Sequence, residues 1–219
     1  MIKYLILPAF NEELHISSIL NKAKNHVDHI IVVDDCSDDE TFINAQKAGA
    51  ITLRHRANLG KAAALKTGCE AAILLGADLI ALMDSDGQHK PENLPQFFST
   101  LERDGLDIIV GSRRDGDKMP FIRKFGNQLI ELLSRILFRV DIKDIQSGFR
   151  VFRAEVYSKL EWISNNYHAD AEMTIRIGIH KLKYKEIFID TIYLDDYKGM
   201  TPIDGLILLL NIIKWRISL

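Results

Sequence analysis

Leu79-Ile80-Ala81-Leu82-Met83 runs directly into Asp84-Ser85-Asp86-Gly87-Gln88-His89, and this stretch decides the fold. Five consecutive apolar residues fit a strand buried on both faces, as in a sheet covered by helices. The strand stops on two carboxylates one residue apart, and Pro91 follows at a position suited to opening a helix. In open α/β sheets, ligands bind beyond the carboxyl ends of strands. Two carboxylates at such an end repel each other until a cation or a set of donors neutralises them. Oxygen ligands suit a hard divalent ion that also bridges phosphate groups. The competing local role for Asp84 and Asp86 is to cap the helix at Pro91.

Working outward, strands and helices alternate. Tyr4–Leu7 reads as a first strand, stopped by Pro8-Ala9-Phe10-Asn11-Glu12-Glu13. A helix follows to about His26, with Ile16, Ile19, Leu20 and Ala23 on one face. Ile30–Val33 is a second apolar strand and ends in Asp34-Asp35-Cys36-Ser37-Asp38-Asp39. The next helix runs to Ala48, with Gly49 as its stop. A short strand at Ile51–Leu53 and the loop Arg54–Gly60 lead into an Ala-rich helix from Lys61 to Leu75. After the central strand come a helix over Pro91–Arg103 and a strand at Asp107–Val110 that ends in Gly111-Ser112-Arg113. This alternation predicts an α/β fold with a mostly parallel, doubly wound sheet.

The second half reads differently. Arg113–Lys118 is a charged loop, and Phe121–Phe138 is a long amphipathic helix. Phe149–Phe152 fits a short strand and Asp170–His180 a helix. Lys183–Tyr193 alternates polar and apolar residues, which predicts a half-exposed antiparallel strand. A final apolar helix covers residues 201–219. The whole fits a single domain with a half spanning 1–112, a second half spanning 113–200 and that terminal helix.

Bulk properties exclude several classes. A net charge of −2 on 219 residues gives no basic field for nucleic acid. The two cysteines, Cys36 and Cys69, match no metal or redox spacing and point to a reducing, intracellular compartment. The apolar run at the N-terminus is too short for a signal peptide. No pair of histidines stands at i, i+4, so no zinc site is expected.

Three strand ends carry acidic or turn-forming residues: Pro8–Glu13, Asp34–Asp39 and Asp84–His89. In a parallel sheet these ends share one edge and can line a single pocket. For Asp34–Asp39 the local alternative is a cap from Ser37 or Asp38 on the following helix.

Together these segments resemble glycosyltransferase family 2. The resemblance rests on Pro-Ala-Phe-Asn-Glu-Glu at 8–13, Val-Val-Asp-Asp-x-Ser-x-Asp at 32–39, Asn-x-Gly-Lys-x-x-Ala-Leu at 58–65 and Asp-x-Asp-x-Gln-His at 84–89. Gly-Ser-Arg at 111–113 and Asp-x-x-Ser-Gly-Phe-Arg at 144–150 narrow it to the dolichol-phosphate mannosyltransferase-like branch. That resemblance implies a glycosyltransferase-A fold and inverting transfer of a hexose, mannose or glucose, from a GDP- or UDP-sugar to a polyprenyl phosphate. It implies that Pro8, Phe10, Glu12, Asp34 and Asp35 face the nucleoside. Asp84 and Ser85 would line ribose and phosphate, and Lys61 would approach the phosphates. Asp84, Asp86 and Gln88 would hold Mg²⁺ or Mn²⁺, with Asp86 in the catalytic set. Arg113, Arg123, Arg150 and Lys198 would take the acceptor phosphate, the planar guanidinium fork suiting a phosphate monoester. Gly148 would permit a tight turn that projects Asp144 and Arg150 into the cleft. Because a lipid phosphate oxygen is already anionic, Asp144 would position it first and act as a base second. Glu172, after Asp170, would hold sugar hydroxyls, although Asp170 and Glu172 equally suit the first turn of a helix.

A lipid acceptor calls for contact with a membrane surface. The terminal helix, with Trp215 between Lys214 and Arg216, suits a peripheral interfacial anchor at the cytoplasmic face. With Asp204 and Asn211 it is too short and polar to span. It and the helix at 121–138 would equally suit a core or a homodimer interface. Other readings of the same residues are transfer to a polysaccharide or protein, a sugar-1-phosphate nucleotidyltransferase and a non-catalytic binding protein. The nucleotidyltransferase would need a Gly-rich basic loop after the first strand, which Pro8–Glu13 does not supply.

Overall fold

The computed structural model describes residues 1–113, 121–164, 168–190 and 202–218; side chains at 121–128, 202–204, 206 and 218 are not among those described. The order along the chain is β1 (Lys3–Ala9), α1 (Ile16–Ala23), β2 (His29–Asp34), α2 (Thr41–Lys47), β3 (Ile51–Arg54), α3 (Lys61–Leu74) and β4 (Leu79–Leu82). It continues with α4 (Leu94–Arg103), β5 (Ile108–Arg113), α5 (Phe121–Phe138), β6 (Arg150–Arg153), α6 (Tyr157–Leu160), α7 (His168–Ile179), β7 (Tyr184–Ile189) and α8 (Pro202–Ser218). Short 3₁₀ turns at Pro91–Asn93 and Ala154–Val156 lead into α4 and α6.

The strands form one sheet in the order β3-β2-β1-β4-β6-β5-β7. β1 to β4 run parallel, as the alternation of the first half predicts. β6 is the exception, pairing antiparallel with both β4 and β5. The expectation of an antiparallel strand at Lys183–Tyr193 is corrected: β7 runs parallel to β5. Its alternation reports one covered and one exposed face of an edge strand, which says nothing about direction. Residues 191–193 of that prediction lie outside the described residues.

Each central strand is covered on both faces. Ile6, Ile31, Val33, Ile80 and Leu82 face α3, with α7 and α8 contributing to the same layer. Leu5, Leu7, Val32, Leu79, Ala81 and Met83 face α1 and α4. That two-sided burial is why β1, β2 and β4 read as unbroken apolar runs. α3 lies unusually close to the sheet, because Gly68 leaves room where a Cβ would stand 2.3 Å from Ile6 Cγ2. Gly178 does the same for α7, where a Cβ would meet the Phe138 carbonyl oxygen. α8 turns Leu208, Ile212 and Trp215 inward and leaves Ile207, Leu210, Ile213 and Ile217 exposed. Trp215 is therefore a core residue and not the interfacial anchor expected of it. No helix among the described residues is long and apolar enough to cross a membrane.

Gly68→Ala should lower stability by about 1–3 kcal/mol through overpacking against Ile6. Chemical denaturation checks this, and pairing the change with Ile6→Ala, which removes the Cγ2 in the way, should cost less than the sum of the two single changes.

Candidate functional site

The carboxyl ends of β1, β2 and β4 are tied into one edge by polar contacts. Ser85, buried just after β4, donates its hydroxyl to the Pro8 carbonyl at 2.6 Å. Beyond β1, the Asn11 N–H donates to Ser37 Oγ, and the Asp38 N–H returns to Asn11 Oδ1. Asn11 achieves this with φ +55°, a conformation that asparagine tolerates better than most residues. The loops beyond the strands thus fix one another. Phe10 is left half-exposed on this edge.

The two acids of β2 have different tasks. Asp34 is fully buried, accepts the Ser37 N–H at 3.3 Å and pairs with Arg54 Nε at 3.1 Å. Asp35 accepts the N–H groups of Leu59 and Gly60 at 2.9 and 2.7 Å and pairs with His55 Nδ1 at 2.7 Å. Both acids therefore have partners inside the protein, and Asp35 pins the loop that starts α3. Neither Ser37 nor Asp38 caps α2, which begins later, at Thr41; Asp39 Oδ1 instead accepts the Thr41 N–H.

What Asp35 positions is Lys61. Lys61 opens α3 behind Gly60, whose φ of +89° a side chain would oppose. A cation at a helix N-terminus faces the positive end of the dipole. Lys61 Nζ is held there by Asp84 Oδ1 at 2.7 Å and Asp170 Oδ2 at 3.0 Å. Burial works against the Lys61 charge, but the carboxylates of Asp170 and Asp84 outweigh it and hold the amine above its usual pKa. Burial likewise works against the Asp84 charge, yet Lys61 and His89 outweigh it and hold that carboxyl well below its usual range. Asp84 is thus an ion-paired residue at the mouth of β4. The helical turn after it has Lys90 at its N-cap and no side-chain cap, so neither Asp84 nor Asp86 fills that role.

Asp-x-x-Ser-Gly-Phe-Arg closes the other side of the pocket, with one correction. None of the described positive-φ glycines is Gly148. A Cβ there would lie 2.6 Å from Asp84 Oδ2, so the glycine serves close approach of this loop to the β4 tip. Arg150 also departs from expectation. Its guanidinium is fully buried and donates to the carbonyls of Ser147, Ile145 and Asp170 and to Thr174 Oγ1. It ties the loop to α7 and does not open into the cleft. Glu172 is corrected too: it is buried, and its oxygens accept the N–H groups of Ile163 and Ser164 and pair with Arg176. Asp144 does reach the edge, where it pairs with Arg113. The Arg123 side chain and Lys198 lie outside the described residues.

Asp170 is the residue that sequence reading under-weighted. Its place in the first turn of α7 suits a helix-start acid, yet its carboxylate crosses the pocket to Lys61. Only the parity of charges, a helix-start lysine and an extra acid, hinted at the pair. As for a metal, Asp86 Oδ1 accepts the Gln88 N–H at 3.0 Å. No group of three His, Cys, Asp or Glu side chains among the described residues could hold an ion by itself. Two carboxylates and an amide oxygen at one strand end nevertheless fit a hard cation whose remaining ligands are phosphate oxygens and water.

Acid-bearing strand ends on one edge of a mostly parallel sheet with one antiparallel strand are the arrangement of the glycosyltransferase-A fold. Residues 4–161 match Glycosyl transferase family 2, and the chain belongs to that family. It is therefore a glycosyltransferase. It is 32% identical to a UDP-N-acetylglucosamine–dolichyl-phosphate N-acetylglucosaminyltransferase of Methanococcus voltae, over 87% of this chain and 85% of that protein. It is 30% identical to a dolichol-phosphate mannosyltransferase of Pyrococcus furiosus, over 84% of this chain and 60% of that protein. In fold it is similar to glucosyl-3-phosphoglycerate synthase of Mycobacterium tuberculosis crystallised with Mg²⁺ and UDP. The TM-score there is 0.76 at 20% identity, covering 98% of this chain and 79% of the other.

Lys61→Met would leave Asp84 and Asp170 facing each other without a cation. At pH 7 this should cost about 2–4 kcal/mol of stability. The Asp84 carboxyl, now held low, would rise towards or above its ordinary value, so the loss should shrink as pH falls through about 4. Denaturation at pH 7 and pH 4 measures both; equal losses would mean that the ion pairs are not what Lys61 contributes.

Proposed function

We propose that this glycosyltransferase moves a hexose, mannose or glucose, from a GDP- or UDP-sugar to a polyprenyl phosphate, with inversion and with Mg²⁺ or Mn²⁺. The observation that carries the reading is the placement of two cationic groups on one edge: Lys61 at the β4 tip and Arg113 at the β5 tip. One suits the diphosphate of a donor and the other the phosphate of an acceptor. The lipid-phosphate acceptors named for the Methanococcus and Pyrococcus relatives support the second assignment. The Mg²⁺ and UDP in the fold relative support the first.

In this reading the half-exposed Phe10 ring, with Pro8 and Glu12, flanks the nucleoside at the end of β1. Asp34 and Asp35 act from behind, shaping the loops around it. Ser85, whose hydroxyl is spent on Pro8, contributes its place in the turn more than a free hydroxyl. Asp84, Asp86 and Gln88 would hold the cation, which when bound offsets charge on the departing diphosphate. Lys61 neutralises Asp84 and directs its ammonium at the same phosphates. Arg113 presents a planar fork to the acceptor phosphate, with Arg123 and Lys198 as further proposed contacts. Asp144 stands next to that fork, and a strong base is not required of it because the acceptor oxygen is already anionic.

The exposed apolar side chains of α8, with Lys214 and Arg216 beside them and Leu132 and Ile136 on α5, support peripheral attachment to the cytoplasmic face of a membrane. A panel of GDP- and UDP-sugars with a short polyprenyl phosphate, with Mg²⁺ or Mn²⁺ or with chelator, tests the reading. Transfer should depend on metal and on the lipid phosphate, and Asp86→Ala should lower turnover about a hundredfold. Transfer undiminished by Asp86→Ala, or directed to a saccharide in place of the lipid, would refute it.

A further inference from the structure

Arg113 is engaged in a specific way. Its Nε donates to Asp144 Oδ2 at 2.7 Å and its Nη2 to Asp144 Oδ1 at 3.1 Å, a two-pronged pairing of guanidinium and carboxylate. The Arg113 backbone N–H also points at Asp144 Oδ2, at 3.3 Å. Two parallel N–H···O bonds to two oxygens on one atom are also how a guanidinium grips a phosphate. Asp144 therefore occupies the fork that the acceptor phosphate would use.

The loop bearing Asp144 is fastened for this purpose from the neighbouring strand. Glu186, on β7, accepts the N–H of Lys143 at 2.8 Å and of Asp144 at 3.3 Å through Oε1. Ser147 N–H returns to the Asp144 carbonyl, closing the turn. The carboxylate is thus held over Arg113 by contacts from both sides, with its side chain only 14% exposed against 35% for Arg113.

We infer that Asp144 is an internal stand-in for the acceptor phosphate and sets the affinity that an acceptor must exceed to bind; the inference rests on the reading of Arg113 as the acceptor-phosphate residue. A phosphate monoester carries close to two negative charges near neutral pH and three strong acceptor oxygens. It displaces a carboxylate with one charge and two oxygens. A phosphodiester brings one charge and gains little over Asp144, and an uncharged hydroxyl gains nothing. The pairing therefore lowers the affinity of every ligand of the fork by one factor, so that only the ligand with the strongest intrinsic grip, a monoester, displaces Asp144 at working concentration, and acceptor binding releases Asp144 towards the cleft.

Competition and support predict opposite signs for the same variant. If Asp144 competes, Asp144→Asn weakens the internal pairing and the acceptor binds more tightly; if Asp144 only props Arg113 in place, the acceptor binds more weakly. A fork occupied nine-tenths of the time reduces apparent affinity about tenfold. Calorimetric titration of the full chain with farnesyl phosphate, inorganic phosphate and the methyl ester of farnesyl phosphate reads this out. Asp144→Asn should bind farnesyl phosphate and inorganic phosphate about five- to tenfold more tightly than the wild type, and the weaker-binding diester should gain by the same factor. Equal gains with tighter absolute binding of farnesyl phosphate than of inorganic phosphate support competition and assign the fork to the lipid ester. Glu186→Ala, which removes the acceptor of the Lys143 and Asp144 N–H groups without touching the fork, should shift binding in the same direction if Asp144→Asn fails to fold. Unchanged or weaker binding in these variants, with Arg113-dependent binding in the wild type, overturns the inference and leaves the acceptor reading intact. No binding of either phosphate by the wild type overturns both.

Discussion

The site depends on one ammonium group. Lys61 stands at the start of α3, where the helix dipole opposes a cation, and is retained by two carboxylates from distant parts of the chain. Asp84 comes from the tip of β4 and Asp170 from α7, so the three-way contact joins the first half of the sheet to the second. Its energetic meaning is conditional. Such a cluster adds little over an apolar replacement, but removing one member leaves the others uncompensated. The arrangement is therefore better understood as a device of specification than of stability: it fixes where charge lies on the strand edge.

Much else in the molecule serves that placement. Asp35 draws in the loop before α3, the absence of a side chain at Gly60 allows its turn, and Gly68 lets the helix lie against β1. On the far side, Gly148 lets the Ser-Gly-Phe-Arg turn touch Asp84, and buried Arg150 ties that turn to α7. The charged groups Lys61, Asp84, Asp170, Arg113 and Asp144 are set among hydrogen-bonded turns and closely packed glycines. A glycosyltransferase benefits from this, since charge separation in the reaction is best met by dipoles and ions already in position.

The sheet was legible because both-face burial makes apolar runs, and runs separated by helical periodicity force a parallel order. The tips were legible because acids, glycine and proline cluster where strands end. The direction of β7 was not, since alternation records burial and carries no sign of direction. Nor could sequence distinguish an arginine in the cleft from one beneath it: Arg150 and Arg113 each follow a strand-edge motif, and only tertiary packing buries the first. The same holds for Glu172 and Asp170, two acids one residue apart in α7 that the helix turns towards different partners, Arg176 and Lys61. Trp215 shows the reverse error, since an aromatic residue between cations suits a membrane surface or a core, and packing selected the core.

The central claim is that the β4 tip shares a divalent cation with a nucleoside diphosphate. Electron paramagnetic resonance of Mn²⁺ addresses it directly, because bound ions lose the sharp signal of the free aqueous ion. The account predicts weak capture of Mn²⁺ by the protein alone and strong capture once GDP or UDP is added, since the protein supplies only part of the ligand set. Capture that is indifferent to the nucleotide, or absent with it, would contradict the account.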